Sequence, residues 1–170
     1  MGKKPEKRLH LDTFSVAPGR TLARKYEVVA RLGTGWEGEV LARQPGQRLS
    51  VFQALHLLYA LAAGIECIHQ LREYHGDLHT DNVIVRRYGL GFNLKLVDMF
   101  RWEMPKRENI QDDVVDMVKI FHEAVGGARH YTRLPREAKA LCCGLKRSLI
   151  LKKFRTTSHL RRYLETMQWR

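Results

Sequence analysis

From residue 51 to residue 71 the apolar positions fall on one helical stripe: Leu55, Leu58, Ala62, Ile65 and Ile68 recur at intervals of three and four. Ser50 precedes this run and Gln53 follows three residues later, a capping-box pattern, so the spacing predicts a long, buried helix over 51–71. Gly64 inside it costs about 1 kcal/mol relative to Ala and marks a place of close packing. A second run, 110–125, carries Val114, Val115, Met117, Val118, Ile120, Phe121 and Val125. Asp112 and Asp113 are expected in its first turn, where the helix dipole favours carboxylates, and Gly126-Gly127 is its stop. Residues 136–151 read as helical, and a last helix through 159–164 takes Ser158 or Thr157 as its cap. Elsewhere the period shortens to two. Residues 26–32 alternate as a strand, 39–41 continue as one, and 82–86 and 93–97 are β-rich runs joined by a glycine-containing connection. Antiparallel pairing of that last pair would bring Asn82 and Asp98 to the same end of the ribbon. The pattern predicts an α+β protein in three parts: a loose basic arm (1–25), a glycine-rich hairpin (26–49) and a mainly helical domain (50–170).

Composition narrows the setting. The chain has 170 residues, 44% hydrophobic and 28% charged, which is ordinary for a globular domain able to bury its own core. No apolar run is read as approaching the roughly 18–20 residues of a membrane span. The basic N-terminus is followed by no apolar segment of secretory type. Cys67, Cys142 and Cys143 make neither a disulfide framework nor a zinc spacing, and are expected to be reduced, mostly buried thiols of a cytoplasmic protein. The net charge of +12 is concentrated late: from Ala124 to Arg170 twelve lysines and arginines stand against Glu137 and Glu165. Such a region is a solvated basic surface or a face for nucleic acid, anionic lipid or an acidic protein partner. Nucleic acid is disfavoured, because no aromatic–basic interleaving or known binding motif accompanies the charge.

The chemistry concentrates in His75-Gly76-Asp77-Leu78-His79-Thr80-Asp81-Asn82 and in Asp98 at the end of the second β-rich run. Carboxylate and amide oxygens are what Mg²⁺ takes when it also holds phosphate, and Asn82 and Asp98 can supply them. Asp77 is then free to accept a proton from a hydroxyl nucleophile. A competing reading takes His75, Asp77 and His79 as a metal cluster on one face of an extended segment, but no second His or Cys group completes it. His69, without a partner at metal spacing, reads as a structural histidine. Upstream, Gly33-Thr34-Gly35-Trp36-Glu37-Gly38-Glu39-Val40 is a G-x-G-x-x-G-x-V pattern, in which glycines let backbone N–H groups approach phosphate oxygens. Alone it is weak, and a plain glycine-rich turn reads equally well. A dinucleotide fold would require a helix after the glycines, where a strand is expected instead.

Taken in order, these parts resemble the protein kinase superfamily. The 75–82 stretch looks like the H-x-D-L-x-x-x-N catalytic loop, Asp98-Met99-Phe100 stands where the metal-binding D-F-G belongs, and residues 64–69 are similar to the helix preceding that loop. Asp113 resembles the aspartate that ties the following helix to the catalytic loop. Residues 154–160 look like the start of the family's last helix. The resemblance implies a kinase-like fold: mainly the helical C-lobe, a β-hairpin at the catalytic site and a remnant glycine-loop hairpin of the N-lobe. It implies Asp77 as catalytic base, Asn82 and Asp98 as Mg²⁺ ligands, Gly33, Gly35, Gly38 and Val40 as the nucleotide flap, and His75, His79 and Asp113 in support. The implied activity is ATP-dependent, serine/threonine-kinase-like transfer of a phosphoryl group to a hydroxyl-bearing substrate, with a protein as the expected acceptor.

The departures from that pattern are specific. Gly76 replaces the arginine of regulated kinases and His79 replaces a lysine, giving an H-G-D-L-H form that resembles aminoglycoside and other small-molecule phosphotransferases. Phe100 replaces the glycine of D-F-G. No lysine occurs between Lys25 and Lys95, so the ion pair that orients the ATP phosphates cannot be made there. The expectation is a kinase shortened internally, with its junction near residues 40–42. The alternative function is a catalytically dead, kinase-like binding or regulatory module.

Overall fold

A computed structural model describes Thr21–Leu22, Tyr26–Glu27, Glu39–Val40 and residues 48–89, 91–100 and 106–168. The chain divides into two compact units, Met1–Trp36 and Glu37–Arg170. In the first, strands β1 (Thr21–Leu22) and β2 (Tyr26–Glu27) pair antiparallel. A short strand therefore lies inside the segment expected to be a loose arm.

The second unit is α+β and begins with β3 (Glu39–Val40). Helix α1 (Val51–Gln70) follows, opened by the capping box that the sequence predicts: Gln53 N–H donates to Ser50 Oγ, and Ser50 N–H donates to Gln53 Oε1. A single 3₁₀ turn (Thr80–Asn82) leads into β4 (Val83–Tyr88), which pairs antiparallel with β5 (Gly91–Leu96). The helices α2 (Lys106–Ala124), α3 (Ala128–Tyr131), α4 (Arg136–Cys142), α5 (Arg147–Lys153) and α6 (Thr157–Thr166) complete the unit. The core joins Leu57, Leu58, Leu61 and Ile65 of α1 to Met117, Val118 and Phe121 of α2, with Leu141, Ile150, Phe154 and Leu160 closing it from the later helices.

Several expectations are corrected. By length and composition α1 is apolar enough to cross a membrane, contrary to the sequence reading, although between Ala54 and Ile65 it supplies seven buried positions of this core. A Cβ built on Gly64 would meet nothing within 4 Å, so that glycine marks open space rather than close packing. Cys67 is exposed, whereas burial pushes the Cys142 thiol up to about 11. Helix α2 begins at Lys106, so Asp113 sits in its second turn and not its first. The helix expected over 136–151 is broken, because Cys143, Gly144 and Leu145 all have positive φ between α4 and α5. Thr156, not Ser158 or Thr157, caps α6 through its bond from His159 N–H.

The glycine hairpin is also revised. Among the described strands none pairs across the glycines: Tyr26–Glu27 pairs with β1, while β3 joins the sheet in the order β3-β4-β5. The β3 register, Glu39 opposite Val85 and Val40 opposite Ile84, makes Val40 the end nearer the Thr80–Asn82 turn. Gly33, Gly35 and Gly38 lie outside the described residues.

Candidate functional site

The site is assembled at the point where α1, α2 and the β4–β5 ribbon meet. The chain leaves α1 and reaches His75, whose side chain is fully buried. Asp113, also buried, projects from α2 to meet it. Its Oδ2 accepts from His75 N–H at 2.7 Å and its Oδ1 accepts from Gly76 N–H at 3.0 Å. Oδ2 also faces His69 Nε2 at 2.9 Å, and the other ring nitrogen of His69 lies 2.8 Å from Thr157 Oγ1 on α6. Since the carboxylate can only accept, the proton of a neutral His69 sits on Nε2, and Thr157 donates to Nδ1. His69 is thus the structural histidine that the sequence reading favours. Sequence offers Thr157 only as a helix cap, and its pairing with His69 is hidden by the 88 residues between them. One buried carboxylate thereby holds two consecutive backbone donors and the His69 ring of α1, whose far nitrogen is held by Thr157 of α6, satisfying groups that would otherwise be costly to bury.

Gly76 is required by its surroundings. Its φ is +81°, and a Cβ there would stand 2.2 Å from the Phe100 carbonyl oxygen and 2.9 Å from the Tyr74 ring. Phe100 N–H in turn donates to the His75 carbonyl at 2.8 Å. The two departures from the kinase pattern, glycine at 76 and the bulky residue at 100, are therefore in direct backbone contact. No side chain fits at 76 while the 98–100 segment takes this path.

Asp77 turns outward and is half-exposed, as is His79, whose Nε2 lies 3.7 Å from Asp77 Oδ2. His79 Nδ1 accepts from Asp81 N–H at 3.3 Å, so a neutral His79 carries its proton on the nitrogen facing Asp77. Asn82 is buried, and its Nδ2 donates to the Asp77 carbonyl at 2.8 Å, fixing the loop across the 3₁₀ turn. The amide nitrogen being spent on that bond, Oδ1 is the atom with which Asn82 would meet a cation. Val97 N–H donates to the Asn82 carbonyl at 3.1 Å, and Val83 pairs with Leu96. Asp98 thus follows directly after Asn82's partner at the same end of the ribbon, as antiparallel pairing predicts. Asp98 is exposed with φ +56°, a left-handed conformation that aspartate tolerates better than most residues. One amide and one carboxylate suit Mg²⁺ shared with phosphate oxygens rather than an all-protein cage. Among the described residues no group of three or more His, Cys, Asp or Glu is placed to hold a metal ion, which leaves the His75–Asp77–His79 cluster without support.

Burial holds the His75 imidazole below its ordinary value, while Asp113, the Val97 backbone and Asp77 pull the other way. Its Nε2 is buried without a hydrogen-bond partner among the described residues. Asp116, one turn beyond Asp113, is raised by burial against the opposing pull of Lys119. Behind the loop, Glu66 of α1 accepts from Ser158 and pairs with Arg161 of α6, a part-buried ion pair that sequence spacing does not reveal. A cavity of about 440 Å³ lies between α1 and β5, lined by Ala60, Leu61, Gly64, Phe92, Leu94 and Leu96, and includes none of the predicted site residues.

Compared with family models, with curated proteins and with solved structures, the chain matches none of them.

Proposed function

We propose that the chain is a kinase-like helical lobe in which Asn82 and Asp98 bind the phosphates of ATP through Mg²⁺ and Asp77 receives the proton of a hydroxyl acceptor. The observation that carries this reading is the Asp113 carboxylate, which clamps the backbone N–H groups of His75 and Gly76 and so fixes the residue that follows them, Asp77. Asn82 holds the same residue from its carbonyl side. Asp77 is therefore positioned at both its ends while its carboxylate stays accessible, which is what a proton acceptor for an incoming hydroxyl requires. Mg²⁺, when bound, would neutralise phosphate charge and orient the transferable group. The acceptor is a hydroxyl-bearing substrate, with a protein serine or threonine as the leading class. The basic C-terminal region suits an acidic protein partner. The role of Gly33, Gly35, Gly38 and Val40 as a nucleotide flap rests on their sequence pattern.

A second reading, a binding module without turnover, is favoured by one observation. No lysine stands between Lys25 and Lys95 to clamp the phosphates, and such electrostatic clamps carry a large share of the barrier. Two measurements separate the readings. Mg²⁺–ATP should raise the melting temperature of the native chain and of Asp77→Asn, but not of Asp98→Asn. Transfer of radiolabelled phosphate to a serine-containing protein should be lost in Asp77→Asn. A thermal shift without transfer assigns the binding module, and the absence of any shift removes the nucleotide from both readings.

A further inference from the structure

The corner between α4 and α5 carries an unusual backbone at an exposed position. Cys143, Gly144 and Leu145 take φ values of +50°, +60° and +58° in succession. Only the glycine adopts this region without strain, and non-glycine strain of this kind persists where the surrounding structure or a function holds it. Its result is that residues 144–149 are all exposed. Leu145 and Leu149 are among the large apolar side chains that face solvent, at 36% and 46% exposure. The helical repeat sets Lys146 one turn before Leu149 and Lys152 one turn after it.

The cations of this region divide sharply. Arg147 is taken by Asp112, Lys139 by the Thr132 carbonyl, and Lys153 by the Ala140 carbonyl and the rings of Phe154 and Tyr163. Lys146, Lys152 and Arg155 are exposed and make no ion pair with the described residues. We propose that this corner, formed by Leu145, Lys146, Leu149 and Lys152, docks an acidic protein segment that carries an apolar side chain among its carboxylates. The two exposed ammonium groups select the carboxylates, and the exposed leucines select the apolar side chain.

A single-stranded nucleic acid would use stacking aromatics beside the cations, and among the described residues the exposed aromatic rings, Phe52, Tyr59 and Phe100, belong to other segments. A membrane-surface helix needs a whole apolar face, whereas Ile150 of α5 is spent on the core and only the two leucines remain. The proposal narrows the acidic-partner reading to one surface and does not depend on phosphoryl transfer, so loss of the Mg²⁺–ATP shift leaves it standing.

The test uses the full chain and two labelled peptides of equal charge, one of glutamates alone and one with leucines interspersed, read by fluorescence anisotropy. The leucine-bearing peptide should bind more tightly. Leu149→Ser should remove that advantage, roughly tenfold, while leaving the glutamate peptide unaffected. Lys146→Glu with Lys152→Glu should weaken both peptides on the order of tenfold. Leu145→Gly should raise the melting temperature by relieving the left-handed strain while weakening the leucine-bearing peptide, a pair of opposite signs that a merely structural leucine would not give. Equal binding of the two peptides to the native chain, or tighter lysine-dependent binding to duplex DNA or to anionic vesicles, overturns the proposal.

Discussion

The two faces of the 75–82 segment are built on opposite principles. On the inner face, His75 and the backbone of Gly76 are locked to Asp113, and through His69 to Thr157, so that α1, α2 and α6 all bear on one carboxylate. On the outer face, Asp77, His79 and Asp98 are exposed, and the contact between Asp77 and His79 is long, 3.7 Å from Oδ2 to Nε2. Stability is invested in groups given no part in the proposed chemistry. Asp77 and Asp98, the exposed carboxylates of the proposed site, are left open. Substitution should therefore separate stability from function cleanly across a boundary one residue wide.

The largest effect is expected at Asp113. Its replacement by Ala strips the acceptor from two buried N–H groups and from His69, and should cost about 3 kcal/mol or more in urea unfolding. If the variant unfolds like the native chain, the clamp is not what holds the loop. Next is Gly76→Ala, which forces a Cβ into the Phe100 carbonyl at a positive φ and should cost about 2 kcal/mol or more. A smaller loss at 76, together with an altered environment at Phe100, would show that the 98–100 segment yields instead of the loop.

Acid should erode the stability of the fold at a more modest rate. The folded-state pKa values of His75 and His122 are lowered by burial, so between the folded and unfolded values the unfolded chain binds more protons. Stability from these groups is intact above the unfolded value of about 6.5. It is lost as pH falls through that value, and levels off below the depressed folded one, with a slope of at most about 1.4 kcal/mol per pH unit for each group. Asp116 acts with the opposite sign. Its folded-state pKa is raised, so protonation in the carboxylate range relieves a burial penalty and offsets part of the loss at lower pH. Urea midpoints measured from pH 7.5 to pH 5 should fall, and His75→Asn should flatten that fall. The smallest effect is expected for Asp77→Asn, within about 0.5 kcal/mol of the native stability, because its side chain is half-exposed and makes no short bond. A large loss there would erase the distinction between the two faces.

How much of this was legible in sequence follows from what each feature depends on. The α1 capping box needs only residues three apart, and the helical stripe only residues within a few turns, so both could be read directly. The common end of Asn82 and Asp98 could be read from one hairpin. The break at 143–145 was missed because two of its three positive-φ residues are not glycine, and nothing local in Cys143 or Leu145 announces that conformation. Gly64 was misjudged for the converse reason: a glycine within a helix does not say whether a neighbour or empty space lies beside it. The partners of β2 and β3 lie in different sheets, and strand alternation alone cannot choose between them.

By itself, then, the sequence determined the periodic elements, the chemical inventory of 75–82 and Asp98, and the ribbon that unites its ends. The tie between Asp113 and the loop was already expected from the resemblance; tertiary structure decided that both its oxygens would go to backbone donors 37 and 38 residues away, that Thr157 would complete the chain of bonds through His69, and that Gly76 and Phe100 would meet. The physical reason is one of range. Propensity and periodicity act within a few residues, whereas a buried carboxylate takes its partners from whatever donors packing brings within about 3 Å, however far apart they lie in the chain.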